Sequence, residues 1–75
     1  MDWRQYIKTD PEIMHGAPCF TGTRVAVYVA LDNLAAGESR KRILDNYPSL
    51  KSEHFLAAIA YAADLARERI LPVPA

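Results

Sequence analysis

The sequence predicts a mainly α-helical protein, a three-helix bundle with a helix-turn-helix layout, preceded by a short extended or β N-terminal arm. Prolines and glycines are dense over residues 10–22, which excludes a continuous helix there. From Val27 onward, apolar residues recur instead at the spacing of an amphipathic helix. We therefore expect one domain over residues 1–75, in which the arm, the helical body and the tail take residues 1–26, 27–71 and 72–75.

Two segments of the arm favour strands. Residues 6–9 and 19–21 are rich in aromatic and β-favouring side chains, and each is long enough only for a short strand. A lone two-stranded hairpin is barely stable in water. We therefore expect the arm either to pack on the helices or to pair with a second copy of the chain.

Several side chains are candidates for holding the arm in place. Trp3 and Tyr6 are expected to cover the helical core or to anchor a subunit interface. Arg24 is expected to bind carbonyls or a carboxylate, such as that of Asp10 or Glu12, and so to join the arm to the body. The alternative for Arg24 is contact with a nucleic acid or a partner protein.

The first two helices have clear boundary signals. The first carries an apolar stripe over residues 27–35, and Gly37 is typical of its left-handed C-terminal position. Ser39 is a good N-cap for a short second helix. Pro48 ends that helix, because proline also disfavours helical geometry in the residue before it.

The third helix is expected to be capped by Ser49 or Ser52 and to be stopped by Pro72 and Pro74. If it packs by the same period, its apolar side faces the core and its intervening positions, such as Ala57, face solvent. That apolar side consists of Phe55, Leu56, Ile59, Ala62, Ala63, Ala66 and Ile70.

Chain size and composition favour an oligomer. A chain of 75 residues is only marginally stable alone, and its one cysteine excludes an internal disulfide. We therefore expect a homodimer. No apolar run approaches the ~20 residues of a membrane-spanning helix, and residues 1–5 lack the apolar core of a signal peptide. We expect a cytoplasmic protein without membrane contact.

Neither a metal site nor an active site is indicated. His15 and Cys19 lack the further ligands that a zinc site needs. Cys19 is expected to be a small apolar residue of the arm, since nothing in the sequence marks it as a nucleophile. Asp10 precedes Pro11, which is typical of a turn. We expect a binding protein with no cofactor, and no enzyme.

The start of the second helix carries an unusual cluster of cations, Arg40, Lys41 and Arg42. The positive end of a helix dipole disfavours each cation by roughly 0.3–1 kcal/mol. A feature that violates a local preference suggests function, and phosphates are suitable ligands. The competing interpretation is an ordinary solvated surface. Because the formal net charge is zero, any nucleic-acid contact must come from such a local patch.

The start of the third helix would supply further contacts in a helix-turn-helix unit. Its first residues include Lys51, Ser52 and His54, which are candidates for phosphate or base contacts. No Asn, Gln or Arg, the usual readers of adenine and guanine, lies there. Any small three-helix bundle has this spacing, so a plain bundle remains the alternative. The candidate DNA-binding residues are Arg40, Lys41, Arg42, Lys51, Ser52 and His54.

Ordered motifs run along most of the chain. Residues 10–25 contain Asp-Pro-Glu, Gly-x-Pro and Gly-Thr-Arg, residues 34–39 contain Ala-Gly, and residues 47–50 read Tyr-Pro-x-Leu. This order resembles the bacterial domain-of-unknown-function family four-three-three, described as predicted VapB-like antitoxins. Members often carry apolar or acidic residues in place of residues 40–42, so the cationic cluster is a departure. Lys where Ala17 stands and Thr where Lys51 stands are also common in the family.

The resemblance implies a homeodomain-like fold and an antitoxin function. Members lie beside genes for PIN-like toxin ribonucleases, so the expected partners are such a toxin and operator DNA. The expected function is a type II antitoxin that binds DNA and neutralises the toxin by protein–protein contact. The alternative is a small dimeric protein-interaction module with no role in nucleic-acid binding.

Overall fold

Two short strands followed by three helices make up the computed structural model, which describes residues 1–68. The strands are β1 (Ile7–Lys8) and β2 (Cys19–Phe20), and the helices are α1 (Val27–Ala35), α2 (Arg40–Asn46) and α3 (Ser52–Glu68). The prediction of a mainly helical fold with three helices after a short β arm is confirmed. The expected core residue Ile70, the expected stops at Pro72 and Pro74, and the tail lie outside the described residues.

The arm is a two-stranded antiparallel hairpin, with Ile7 opposite Phe20 and Lys8 opposite Cys19. The Thr21 N–H donates to the Tyr6 carbonyl at 2.8 Å, which extends the pairing beyond the two strands. Ile7, Cys19 and Phe20 are all buried, and Cys19 was predicted to be a small apolar residue of the arm. The arm is therefore part of the hydrophobic core.

Trp3 joins the arm to α3, in agreement with the expectation that it covers the helical core. It belongs to a 3-10 turn, the N-terminal turn (Trp3–Gln5). Its indole Nε1–H donates to Asp64 Oδ2 at 2.6 Å, and its ring meets Tyr61 edge-on at 4.9 Å between centroids. The Arg67 guanidinium also donates a hydrogen bond to the Asp64 carboxylate. The hydrogen bond from Trp3 is the main cause that lowers the pKa of Asp64 below its ordinary value, and the one from Arg67 lowers it further.

Arg24 does not join the arm to the body as expected. Within residues 1–68, no ion pair connects the exposed Arg24 to Asp10 or Glu12. The Asp10 carboxylate instead accepts the backbone N–H of Glu12 at 2.9 Å, the hydrogen bond of a local turn.

The boundaries of α1 and α2 follow the sequence signals. Gly37 follows the end of α1 with φ +88°, the left-handed conformation predicted for it. Ser39 caps α2, because its Oγ accepts the Arg42 N–H at 3.2 Å. The last residue of α2 is Asn46, just before the Tyr47-Pro48 pair that was predicted to end it.

The orientation of α3 differs from the prediction. Phe55 faces the core, but Leu56 and Ile59 are 48% and 46% exposed, whereas Ala57 and Ala58 are fully buried. The helix packs against both α1 and the N-terminal turn. Such close packing favours small side chains at the contact, so the alanines lie inside and the larger aliphatic residues outside.

Among residues 1–68, eleven apolar residues are buried, and no polar or charged side chain is. The largest fully buried side chains are Phe20, Phe55, Ile43 and Val27, so the arm and all three helices each contribute a side chain to one core. Within residues 1–68, no helix is both long and apolar enough to cross a bilayer.

Candidate nucleic-acid interface

Arg40, Lys41 and Arg42 are all exposed in the first turn of α2. The Arg40 guanidinium lies 5.9 Å from the centroid of the Phe55 ring. This contact places the start of α2 beside the first turn of α3. The exposed Lys51 is the residue that directly precedes α3 in the sequence.

One cation of the cluster has a partner on the protein. Arg42 Nε lies 3.1 Å from Glu38 Oε2, four residues earlier. The side chains of Arg42 and Glu38 are 71% and 39% exposed, and a surface ion pair of this kind is worth at most about 1 kcal/mol. A phosphate can therefore replace Glu38 at small cost. Within residues 1–68, neither Arg40 nor Lys41 forms an ion pair with an acidic side chain.

The cap of α3 differs from the prediction, because neither Ser49 nor Ser52 provides it. Ser52 is the first residue of the helix. The N–H of Lys51 donates to Nδ1 of His54 at 2.8 Å, and the N–H of His54 donates to the Lys51 carbonyl at 3.0 Å. His54 thus acts as the third helical residue of a capping box does, reaching back to the cap residue.

His54 also joins the arm to α3. Its ring lies 5.2 Å from the Phe20 ring and 6.1 Å from the Tyr6 ring, with both pairs edge-on. Burial is the main cause that lowers the pKa of His54; Lys51 lowers it further, and Glu53 opposes this effect. The ring is thus neutral at neutral pH, as Nδ1 must be to accept a hydrogen bond. The structural role of His54 was not predicted, although its position three residues after the cap residue Lys51 is the one from which a side chain reaches back to the cap.

Stability is expected to fall as the pH is lowered through the range in which His54 titrates. The pKa of His54 is depressed on folding, so the unfolded chain binds the proton more readily. The contribution is complete above the unfolded value near 6.5 and is lost as the pH falls toward the lower folded pKa. Thermal unfolding of wild type at stepped pH should show this loss. His54→Gln, which retains a capping acceptor but does not titrate, should remove it, and an equal loss in that variant would contradict the assignment.

An apolar groove lies apart from these cations, between α1 and the second half of α3. It encloses about 250 Å³ and is lined by Pro18, Val27, Tyr28, Leu31, Tyr61 and Leu65. A second concavity of about 390 Å³ shares Tyr61 and Leu65 with it and reaches Trp3 and Arg67. The groove is apolar, whereas the second concavity is lined mainly by charged and aromatic side chains.

Comparisons with known proteins agree with the motifs. Residues 7–62 match a family model described as "Protein of unknown function (DUF433)". The chain is also similar to the uncharacterized protein y4eO of Sinorhizobium fredii (strain NBRC 101917 / NGR234), with 41% identity over 59 residues. That match covers 79% of this chain and 27% of the relative, so the chain spans about a quarter of the relative's length. No solved structure matches the chain.

Proposed function

The chain belongs to the DUF433 family of proteins of unknown function, and we propose that it is the antitoxin component of a type II toxin–antitoxin system. In this function it binds operator DNA and neutralises a PIN-like toxin ribonuclease by protein–protein contact, as a homodimer and without catalysis. The resemblance to predicted VapB-like antitoxins supports the proposed binding of a toxin. The exposed cations at the start of α2, beside the first turn of α3, support the proposed binding of DNA.

Phosphates are the ligands that best fit these cations. An Arg guanidinium binds phosphate with two parallel hydrogen bonds, and a Lys ammonium binds it as a point charge. The formal net charge of the chain is zero, so attraction to a polyanion comes from the local cluster and falls with distance from it. The phosphate ligands in the proposal are Arg40, Lys41, Arg42 and Lys51.

Base contacts have a smaller part in the proposal. His54 uses Nδ1 for the helix cap and packs its ring on Phe20. Ser52 is exposed, but a single hydroxyl discriminates bases poorly. Contacts of Ser52 and His54 with bases remain predictions, and the cluster alone would bind duplexes of many sequences.

The second candidate function is a protein-interaction module with no role in nucleic-acid binding. The groove between α1 and α3 favours it, because concave apolar surfaces accept apolar side chains of partners. The same groove serves the antitoxin proposal as a surface for the toxin. DNA binding therefore discriminates the two candidates.

The discriminating experiment is a salt titration of binding to a fluorescent duplex from the region upstream of the gene. If four cations each neutralise a phosphate, the logarithm of the binding constant should fall against the logarithm of salt with a slope of roughly −3.6, since each contributes about −0.9. Salt-independent affinity, or no binding at about 50 mM salt with and without the toxin, would favour the interaction module.

A further inference from the structure

The side of α3 that faces away from the core is apolar along the middle of the helix. Leu56 and Ile59 are nearly half exposed there, and Ala60 and Ala63 continue the surface toward Arg67, with the partly buried Asp64 along its edge. A surface helix ordinarily keeps its outer side polar. This surface, the outer face of α3, consists of Glu53, Leu56, Ile59, Ala60, Ala63 and Arg67.

Charges of opposite sign flank the outer face. Glu53 lies seven residues before Ala60, and Arg67 lies seven residues after it. Seven residues make nearly two helical turns, so all three lie on one side of the helix. Both charged residues are exposed. The face therefore has an acid at one end, a base at the other and an apolar centre.

This arrangement is complementary to itself in one orientation only. When two copies pack antiparallel about Ala60, Glu53 of each lies opposite Arg67 of the other. Parallel packing would place Glu53 against Glu53. Alanines at the centre also allow the two helix axes to approach to about 8 Å. Isologous contacts of this kind are characteristic of twofold dimers.

We propose that the outer face of α3 binds the same face of a second copy, antiparallel about a twofold axis at Ala60. The inference rests on the homodimer of the proposed function and names its surface. Arg67 keeps its ion pair with Asp64 within the chain and presents the rest of its guanidinium to the partner's Glu53. The outer face has six residues, far fewer than the roughly 20–30 per partner of a standard interface, so we expect a dissociation constant that is micromolar or weaker.

Sedimentation velocity of the full chain without DNA, from about 5 to 500 µM, tests the proposal at concentrations that bracket a micromolar dissociation constant. Wild type should pass from monomer to dimer. Ile59→Glu buries a charge in the contact and should weaken the dimer at least about tenfold. Leu65→Glu, at a similarly exposed position on another side of α3, is the matched control and should leave the dimer intact. Circular dichroism verifies that both variants fold.

Charge reversal tests the antiparallel orientation. Glu53→Arg and Arg67→Glu should each weaken the dimer, because each places like charges opposite one another. A mixture of the two variants should restore it as a heterodimer. The proposal would be overturned if wild type stayed monomeric at every concentration, or if Leu65→Glu weakened the dimer as much as Ile59→Glu. It would also be overturned if the mixed variants formed a dimer no tighter than either variant alone. Because the assay contains no DNA, a wild-type chain that stays monomeric but binds DNA in the separate salt titration would refute this surface alone.

Discussion

Phe20→Ala is expected to destabilise the protein by about 3–5 kcal/mol, which is a large share of the stability of a small domain. Phe20 is 1% exposed and is among the largest fully buried side chains. It lies opposite Ile7 in the hairpin and contacts the His54 ring of α3. Its removal therefore leaves a cavity between the arm and the helices.

Urea unfolding followed by circular dichroism measures this effect. Tyr28→Ala removes an aromatic side chain that is 52% exposed, and it should cost no more than about 1 kcal/mol. If Phe20→Ala proved as mild as Tyr28→Ala, the arm would be an appendage and not a part of the core.

The second large effect is expected on DNA binding. The triple variant Arg40→Ala, Lys41→Ala and Arg42→Ala should reduce the salt slope by about 2.7, three times the value of ~0.9 per phosphate. Affinity near physiological salt should fall with it, because phosphate contacts supply most of the binding that carries no sequence information. Anisotropy titrations at several salt concentrations give both quantities.

A control of equal charge separates the cluster from net charge. Arg4→Ala, Lys8→Ala and Arg24→Ala remove three exposed cations from the arm and change the net charge by the same amount. This second triple variant should keep most of the salt slope. An equal loss of salt slope in the two triple variants would show that the attraction to DNA is spread over the whole surface. An unchanged slope in the first triple variant would show that the cationic cluster does not bind phosphates.

Local rules predicted the parts of the fold that depend on local physics. Gly37 and Ser39 occupy the cap positions expected of them, and the strands lie within the two segments that favoured them. The left-handed conformations of Met14 and His15 had no such signal, because residues with a side chain rarely adopt positive φ. The hydrogen bond from Trp3 to Asp64 spans nearly the whole chain, and no spacing rule reaches that far.

The orientation of α3 was not predictable from periodicity alone. One helical stripe contains Phe55, Ala58 and Tyr61, and another contains Leu56 and Ile59. Both have the helical period, so residue size favoured the stripe with two large aliphatic side chains. The packing of α1 and the N-terminal turn selected the other stripe.

The solvent exposure of the candidate site was predictable from the sequence, but the contacts of its side chains with the rest of the fold were not. The cations at the start of α2 are exposed, as expected of solvated or ligand-binding residues. The structural use of His54 depends on Phe20 and Tyr6, which are distant in sequence. The apolar outer face of α3 also limits the helix-turn-helix interpretation, because an apolar surface does not suit the major groove. Only the first turn of α3 is suited to contact DNA.

The most direct test of phosphate binding by the cationic cluster is a heteronuclear NMR titration of the ¹⁵N-labelled chain with duplex DNA. The largest shifts of backbone amide signals should fall on Arg40, Lys41 and Arg42, with a second group at Lys51 and Ser52. Shifts centred on the groove between α1 and α3, or no shifts in the presence of excess duplex at low salt, would contradict the proposed DNA contact.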